Sequence, residues 1–117
     1  MGISKNKPFA VIDIGSNTVR LVVFNGQNRA SFSVYNERVQ CELGKDIWLT
    51  GKLSPEGCSS AMAAVRRFVL LANSMSAKIC IVGTAAVRDA KDGSDFLNKI
   101  QKMCSVKVDV LSGSEEA

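Results

Sequence analysis

Residues 9–24 read FAVIDIGSNTVRLVVF. Two β-rich runs, 9–14 and 18–24, flank a Gly-Ser-Asn turn, so the stretch is expected to fold as a β-hairpin. Asp13 stands at the exit of the first run. A carboxylate there is costly to bury unless it is paired, hydrated or close to a cation. Gly15 lets the backbone approach a ligand without interference from a Cβ atom. Successive amides in such a turn can converge on one anion, and Ser16 and Asn17 add donors. Gly, Ser and Asn are equally at home in an ordinary turn. Taken alone, the stretch supports both readings.

Upstream, Pro8 closes a tail, residues 1–8, that is expected to be mobile. Downstream, Asn25-Gly26 marks another turn, and a third strand is expected over 30–35, continuing toward Val39. Residues 42–53, with glycines at 44 and 51, read as loop. A helix then starts cleanly: Ser54 is a good N-cap, Pro55 suits the first helical position, and Glu56 favours the positive helix end. Cys58, Ala61, Met62, Val65, Phe68, Val69 and Ala72 recur at helical spacing, carrying the helix to about Ser74.

Residues 78–84 contain ICIVG, a continuous apolar run expected to be a strand buried on both faces. Asp92-Gly93-Ser94 reads as a turn with an N-cap. Phe96, Leu97, Ile100 and Met103 make a second amphipathic helix, and residues 106–111 a further strand. Residues 112–116 read as a turn and the start of another helix, with Ser114 a candidate cap.

The order β-β-β-α-β-α-β predicts an α/β domain over residues 9–117. Its mixed five-stranded sheet, flanked by helices, begins as an antiparallel meander and continues with parallel strands joined by crossovers. A chain stopping at Ala117 as a helix begins is expected to be truncated.

Composition narrows the chemistry. The chain has 117 residues, 46% hydrophobic and 22% charged, ordinary for a globular domain. Its apolar runs are too short to span a bilayer, and Asp13 interrupts the only run that follows the N-terminal lysines. Neither a membrane nor a signal peptide is indicated, and the cytoplasm is the expected compartment. Cys41, Cys58, Cys80 and Cys104 are far apart in sequence, so free thiols are expected rather than a disulfide framework or metal cage. There is no histidine. A Ser-His-Asp triad, a Cys-His pair and a histidine base are therefore excluded within this chain. The net charge is +4, with the basic residues scattered. That is a solvated surface rather than a nucleic-acid stripe, and a mild field for anions.

Two further blocks follow strands. Residues 82–89, VGTAAVRD, bring Arg88 a turn after a strand end. In α/β sheets ligands sit beyond the carboxyl ends of parallel strands. Arg88 either forks onto phosphate oxygens there or pairs on the surface with Asp89 or Asp92. Residues 112–117, SGSEEA, place Glu115 and Glu116 at a helix start. They either complement the helix dipole or supply a general base aimed at water. Trp48 reads as packing, with stacking on a ligand or partner the alternative.

Together these blocks resemble the N-terminal part of the exopolyphosphatase/guanosine pentaphosphate phosphohydrolase (Ppx/GppA) family. The matching residues are FAVIDIGSNTVRLVVF at 9–24, LSPEG at 53–57, IVGTAAVRDAKDGSDFL at 81–97 and VDVLSGSEEA at 108–117. The first block is shared with the wider actin-like ATPase superfamily.

The resemblance implies a ribonuclease-H-like fold, the first domain of an actin-like two-lobed molecule. It implies release of the terminal phosphate from inorganic polyphosphate or guanosine pentaphosphate, with Mg²⁺ or another divalent cation. In family terms Gly15, Ser16 and Asn17 form the first phosphate loop, Arg88 faces the phosphate, and Glu116 is the base that activates water. Asp13 is the candidate metal contact, through water. A homodimer of the full-length protein is a further expectation. The family's second loop, Asp-x-Gly-Gly-Gly-Ser, has no match here, so the isolated chain is expected to hydrolyse little or nothing. A non-catalytic sensor of nucleotide or polyphosphate is the competing reading. An ATP-dependent kinase of the same superfamily fits the hairpin but not SGSEEA.

Overall fold

Phe9–Ile14 (β1) takes the middle of a five-stranded sheet. The computed structural model describes residues 7–26 and 33–110. β1 pairs antiparallel with Thr18–Phe24 (β2), which pairs antiparallel with Ser33–Gln40 (β3). On its other side β1 pairs parallel with Lys78–Gly83 (β4), and β4 pairs parallel with Val108–Val110 (β5). The order β3-β2-β1-β4-β5 is the mixed sheet expected from the sequence. Most of the N-terminal tail, the first part of the expected third strand and the SGSEEA block with Glu116 lie outside the described residues.

Four helices connect the later strands among the described residues: Ile47–Thr50 (α1), Pro55–Ser74 (α2), Ala85–Asp89 (α3) and Gly93–Cys104 (α4). α2 begins as its sequence predicts. Ser54 is fully buried, and its Oγ accepts a hydrogen bond from the Gly57 amide at 3.1 Å. Ala61, Ala64, Val65, Phe68, Val69 and Ala72 form its buried stripe. They pack on the face of the sheet that carries Ala10, Ile12, Ile14, Leu21 and Ile81, all fully buried. α4 adds Phe96, Leu97 and Ile100 to the same core. It approaches the end of β4 closely: a Cβ on Gly83 would lie 3.3 Å from the Leu97 methyls.

Three elements differ from expectation. β4 is buried on one face only. Ile81 and Gly83 are covered, while Cys80 and Val82 are half-buried on the face away from α2. The continuous apolar run cannot reveal this, because it looks alike from both faces. α1 lies within residues read as loop, and α3 within residues read as a small-residue stretch. Each is too short to show a helical period. Tertiary contacts hold them. The Lys91 amide donates to Gly51 O at 2.8 Å. Just beyond α3, a Cβ on Gly93 would fall 1.9 Å from Val87 O, so only glycine fits that corner. Asp92 leads into α4, but its carboxylate caps nothing there. Its Oδ1 accepts from the Leu53 amide at 2.9 Å, tying this corner to the entry of α2.

Arg67 joins α2 to β3. It pairs with Glu37 in a two-pronged ion pair and lies 5.0 Å from the Phe68 ring centroid. Tyr35 also donates to Glu37. Hydrogen bonds from Arg67 and then Tyr35 hold the Glu37 carboxyl below its usual 4.5.

A Cβ on Gly57 would lie 2.9 Å from Cys41 O and from Leu43 Cα, both backbone atoms. Gly57→Ala is expected to destabilise on urea denaturation. Overpacking costs about 1–3 kcal/mol, which outweighs the gain of up to about 1 kcal/mol that alanine otherwise brings to a helix. For Glu37, a folded-state value below the unfolded one stabilises the fold above the unfolded pKa of 4.5. That stability is lost as pH falls through the folded value. The difference in stability between wild type and Glu37→Gln should therefore shrink steadily below pH 4.5. A difference that stays constant across the acid limb would refute it.

Candidate active site

β1, β4 and β5 run in the same direction, and their register places Ile14, Gly83 and Val110 side by side. The carboxyl ends of three strands therefore share one edge of the sheet, where ligands gather in α/β folds. The turn after β1 and the start of α3 after β4 both open there. The Thr84 amide donates to Ile14 O at 3.1 Å and locks the two exits together.

The turn is held from behind. The Gly15 amide donates to Thr18 O at 3.0 Å. Asn17 O accepts from the amides of both Cys41 and Glu42, each at 2.9 Å, and Ser16 O accepts from the Gly44 amide at 2.7 Å. The carbonyls of Ser16 and Asn17 thus face residues 41–44. The amides of Ser16 and Asn17 make no hydrogen bond to any described residue, and both residues are exposed. This is the polarity an anion site needs: carbonyls tied back, amides turned outward. Gly15 has an ordinary φ, and the reason for glycine is local. A Cβ there would lie 3.3 Å from Thr18 O within the same turn.

Sequence reading missed two contributors. Gly44 is the first, since a Cβ on it would meet Ser16 Cβ at 3.0 Å and Ser16 O at 3.3 Å. It lies in the expected loop, and nothing local marks its partner 28 residues away. Thr84 is the second. Its Oγ1 is buried and has no hydrogen-bond partner among the described residues. Its methyl lies 4.0 Å from the position of a Gly15 Cβ. A threonine at the carboxyl end of a parallel strand was the available signal.

Asp13 is half-buried next to the turn, paired in register with Arg20 on β2 and Val82 on β4. Asp13, Gly15, Ser16, Asn17 and Thr84 are therefore brought together at one edge. Arg88 is placed differently. It lies in α3, and its Nε donates to Asp89 Oδ1 at 2.8 Å. It lines a cavity of about 200 Å³ with Ser94, Leu97, Asn98 and Val110, toward α4 and β5. The hydrogen bond from Arg88 keeps the exposed Asp89 carboxyl below its ordinary value. Among the described residues no three His, Cys, Asp or Glu side chains gather into a metal cage.

Fold and edge together define an α/β domain that presents donors beyond the carboxyl ends of parallel strands. The chain belongs to the Ppx/GppA phosphatase family, whose model matches residues 21–117. Its sheet and helices have the actin-like, ribonuclease-H-like fold of that family's structures. The Aquifex aeolicus family member superimposes with a TM-score of 0.88 at 23% identity, over 94% of this chain and 36% of that one. An exopolyphosphatase from Cytophaga hutchinsonii gives 0.83 at 25% identity, over 92% of this chain and 35% of that one. Exopolyphosphatase 1 of Mycobacterium tuberculosis is 28% identical over 109 residues, 92% of this chain. The chain spans 32% of that relative's length. The Mycobacterium leprae protein of the same name is likewise 28% identical, over 111 residues.

Because Gly44 backs Ser16 directly, Gly44→Ala should loosen the turn. Hydrogen exchange at the amides of residues 41, 42 and 44 is expected to accelerate, with a stability loss of about 1–3 kcal/mol from overpacking. Unchanged exchange would show that the turn does not depend on this contact.

Proposed function

We propose that this chain is the first lobe of a hydrolase that releases the terminal phosphate from inorganic polyphosphate. The observation that carries the reading is the turn at Gly15–Asn17, with the Ser16 and Asn17 carbonyls tied to residues 41–44 and the amides of these two exposed residues making no hydrogen bond to any described residue, at the carboxyl edge of β1 and β4. The exopolyphosphatase names of its relatives support this substrate over guanosine pentaphosphate.

Hydrolysis of a phosphoanhydride needs charge neutralisation and an aligned water more than a covalent nucleophile. In this reading the amides of Ser16 and Asn17 and the Thr84 hydroxyl hold oxygens of the terminal phosphate. Arg88 exchanges its surface partner Asp89 for phosphate oxygens, which a guanidinium binds in the same forked geometry. Glu116 takes a proton from water as the water oxygen attacks phosphorus. The bridging P–O bond breaks, orthophosphate is released, and the chain leaves one unit shorter with the negative charge on its new terminal oxygen.

A divalent cation suits the donors present. Asp13 offers one hard carboxylate at the site edge, without a surrounding cage among the described residues. Mg²⁺ is commonly held in this way, by one or two carboxylates together with substrate phosphates and water. It would neutralise phosphate charge there.

The test uses the full-length protein and measures orthophosphate release from polyphosphate. Glu116→Gln is expected to lower kcat by about 10²–10⁴-fold, the span of general-base catalysis, with polyphosphate binding retained. The 117-residue chain alone should release almost none. A wild-type full-length protein that binds polyphosphate without hydrolysing it would replace the enzyme by a sensor. Full activity in Glu116→Gln would remove the base assignment.

A further inference from the structure

Beside the turn, charge stands on the sheet that the reading above does not use. The β2–β3 register sets Arg20 directly opposite Arg38, and both are exposed. Like charges facing each other across neighbouring strands repel and destabilise the pair. Arg20 is partly engaged, its Nε reaching Asn36 Oδ1 at 3.5 Å. The side chain of Arg38 makes no hydrogen bond or ion pair with any described residue. The adjacent acid, Glu37, is taken up by Arg67 and Tyr35. Nothing on β3 therefore offsets the Arg38 charge.

Arg38 also links two cavities. With Asn17, Thr18 and Gln40 it lines one of about 340 Å³, and with Arg20, Asn36 and Glu37 it lines another of about 380 Å³. The first cavity begins at the phosphate turn itself, through Asn17. Register pairs Thr18 with Gln40 and Arg20 with Arg38, one same-face step further along the strands. That step is about 7 Å, so an anion at Arg38 is not the one held by the turn. The lining is rich in donors: two amide side chains, a hydroxyl and a guanidinium.

We propose that Arg38, with Asn17 and Gln40, forms a second anion subsite that holds an inner phosphate of a linear oligophosphate whose terminal phosphate occupies the turn. The subsite rests on the reading of Gly15–Asn17 as the terminal-phosphate site. It makes binding depend on chain length, because orthophosphate fills only the turn while tripolyphosphate reaches both positions.

The test is calorimetric titration of the full-length protein, in the Glu116→Gln background, with orthophosphate and with tripolyphosphate. Arg38→Ala is expected to weaken tripolyphosphate binding about tenfold or more, the worth of a charge-assisted hydrogen bond, and to leave orthophosphate binding unchanged. Arg38→Lys should recover part of the loss, because it keeps the charge without the fork. Arg66→Ala, which removes an equal charge from α2, should change neither. Equal weakening of both probes by Arg38→Ala would reduce Arg38 to a contributor to the general field and overturn the subsite. Unchanged tripolyphosphate binding in Arg38→Ala, while Thr84→Val weakens both probes, would overturn the subsite and leave the turn standing. If neither probe binds before Arg38 is altered, the turn reading fails and the subsite fails with it.

Discussion

The carbonyl of Asn17 accepts two amide protons, from Cys41 and Glu42, and one residue earlier the carbonyl of Ser16 accepts a third from Gly44. These bonds set the direction of the whole turn. A planar, trans peptide unit points its amide opposite to its oxygen, so fixing the Ser16 carbonyl toward Gly44 turns the Asn17 amide, which shares that unit, the other way. Residues 41–44 in turn have little freedom. They are pressed between the turn and the first turn of α2, where Gly57 leaves room for the Cys41 carbonyl and the Leu43 backbone. The Ser54 amide donates to Leu43 O at 2.9 Å, while its hydroxyl caps α2. Hairpin, connecting segment and helix cap are thus one hydrogen-bonded assembly, and the direction of the Asn17 amide is its consequence.

The sheet supplies the other constraint. An antiparallel hairpin alone would put the turn at one edge with no neighbour. The parallel pairing of β1 with β4 brings a second strand exit beside it, closed by the bond from Thr84 to Ile14. Both crossovers pass over the same face, where α2 and α4 bury Ile12, Ile14, Leu21, Ile81 and Ile100 completely. The opposite face carries Val11, Asp13, Arg20, Val22, Cys80 and Val82, half-buried or exposed. Asp13, Arg20 and Arg38 stand there in one row across three strands, and the two arginines keep their charge in contact with water.

Much of this was legible in the chain itself. Alternation and turn residues located β1 and β2 to the residue, and Ser54-Pro55-Glu56 located the start of α2. These signals are local: each depends on neighbours within a few positions, and local physics decides them. Gly44 and Gly57 carried no such mark. Their requirement for glycine comes from backbone that lies far away in sequence or belongs to another element. Trp48 was read as packing and is instead 83% exposed on α1, with Leu49 beside it. An aromatic in a loop gives no period from which burial can be read.

The sequence by itself determined the order of strands and helices, the antiparallel hairpin, the parallel crossovers and the position of the turn between β1 and β2. Those follow from hydrophobic period, capping and turn chemistry, which act over short stretches. Only the tertiary structure decided which atoms of that turn point outward, that Arg88 rests on Asp89, and that Arg38 stands beside Asn17. Each of these depends on register between elements, and register is set by how whole faces pack rather than by the residues being placed.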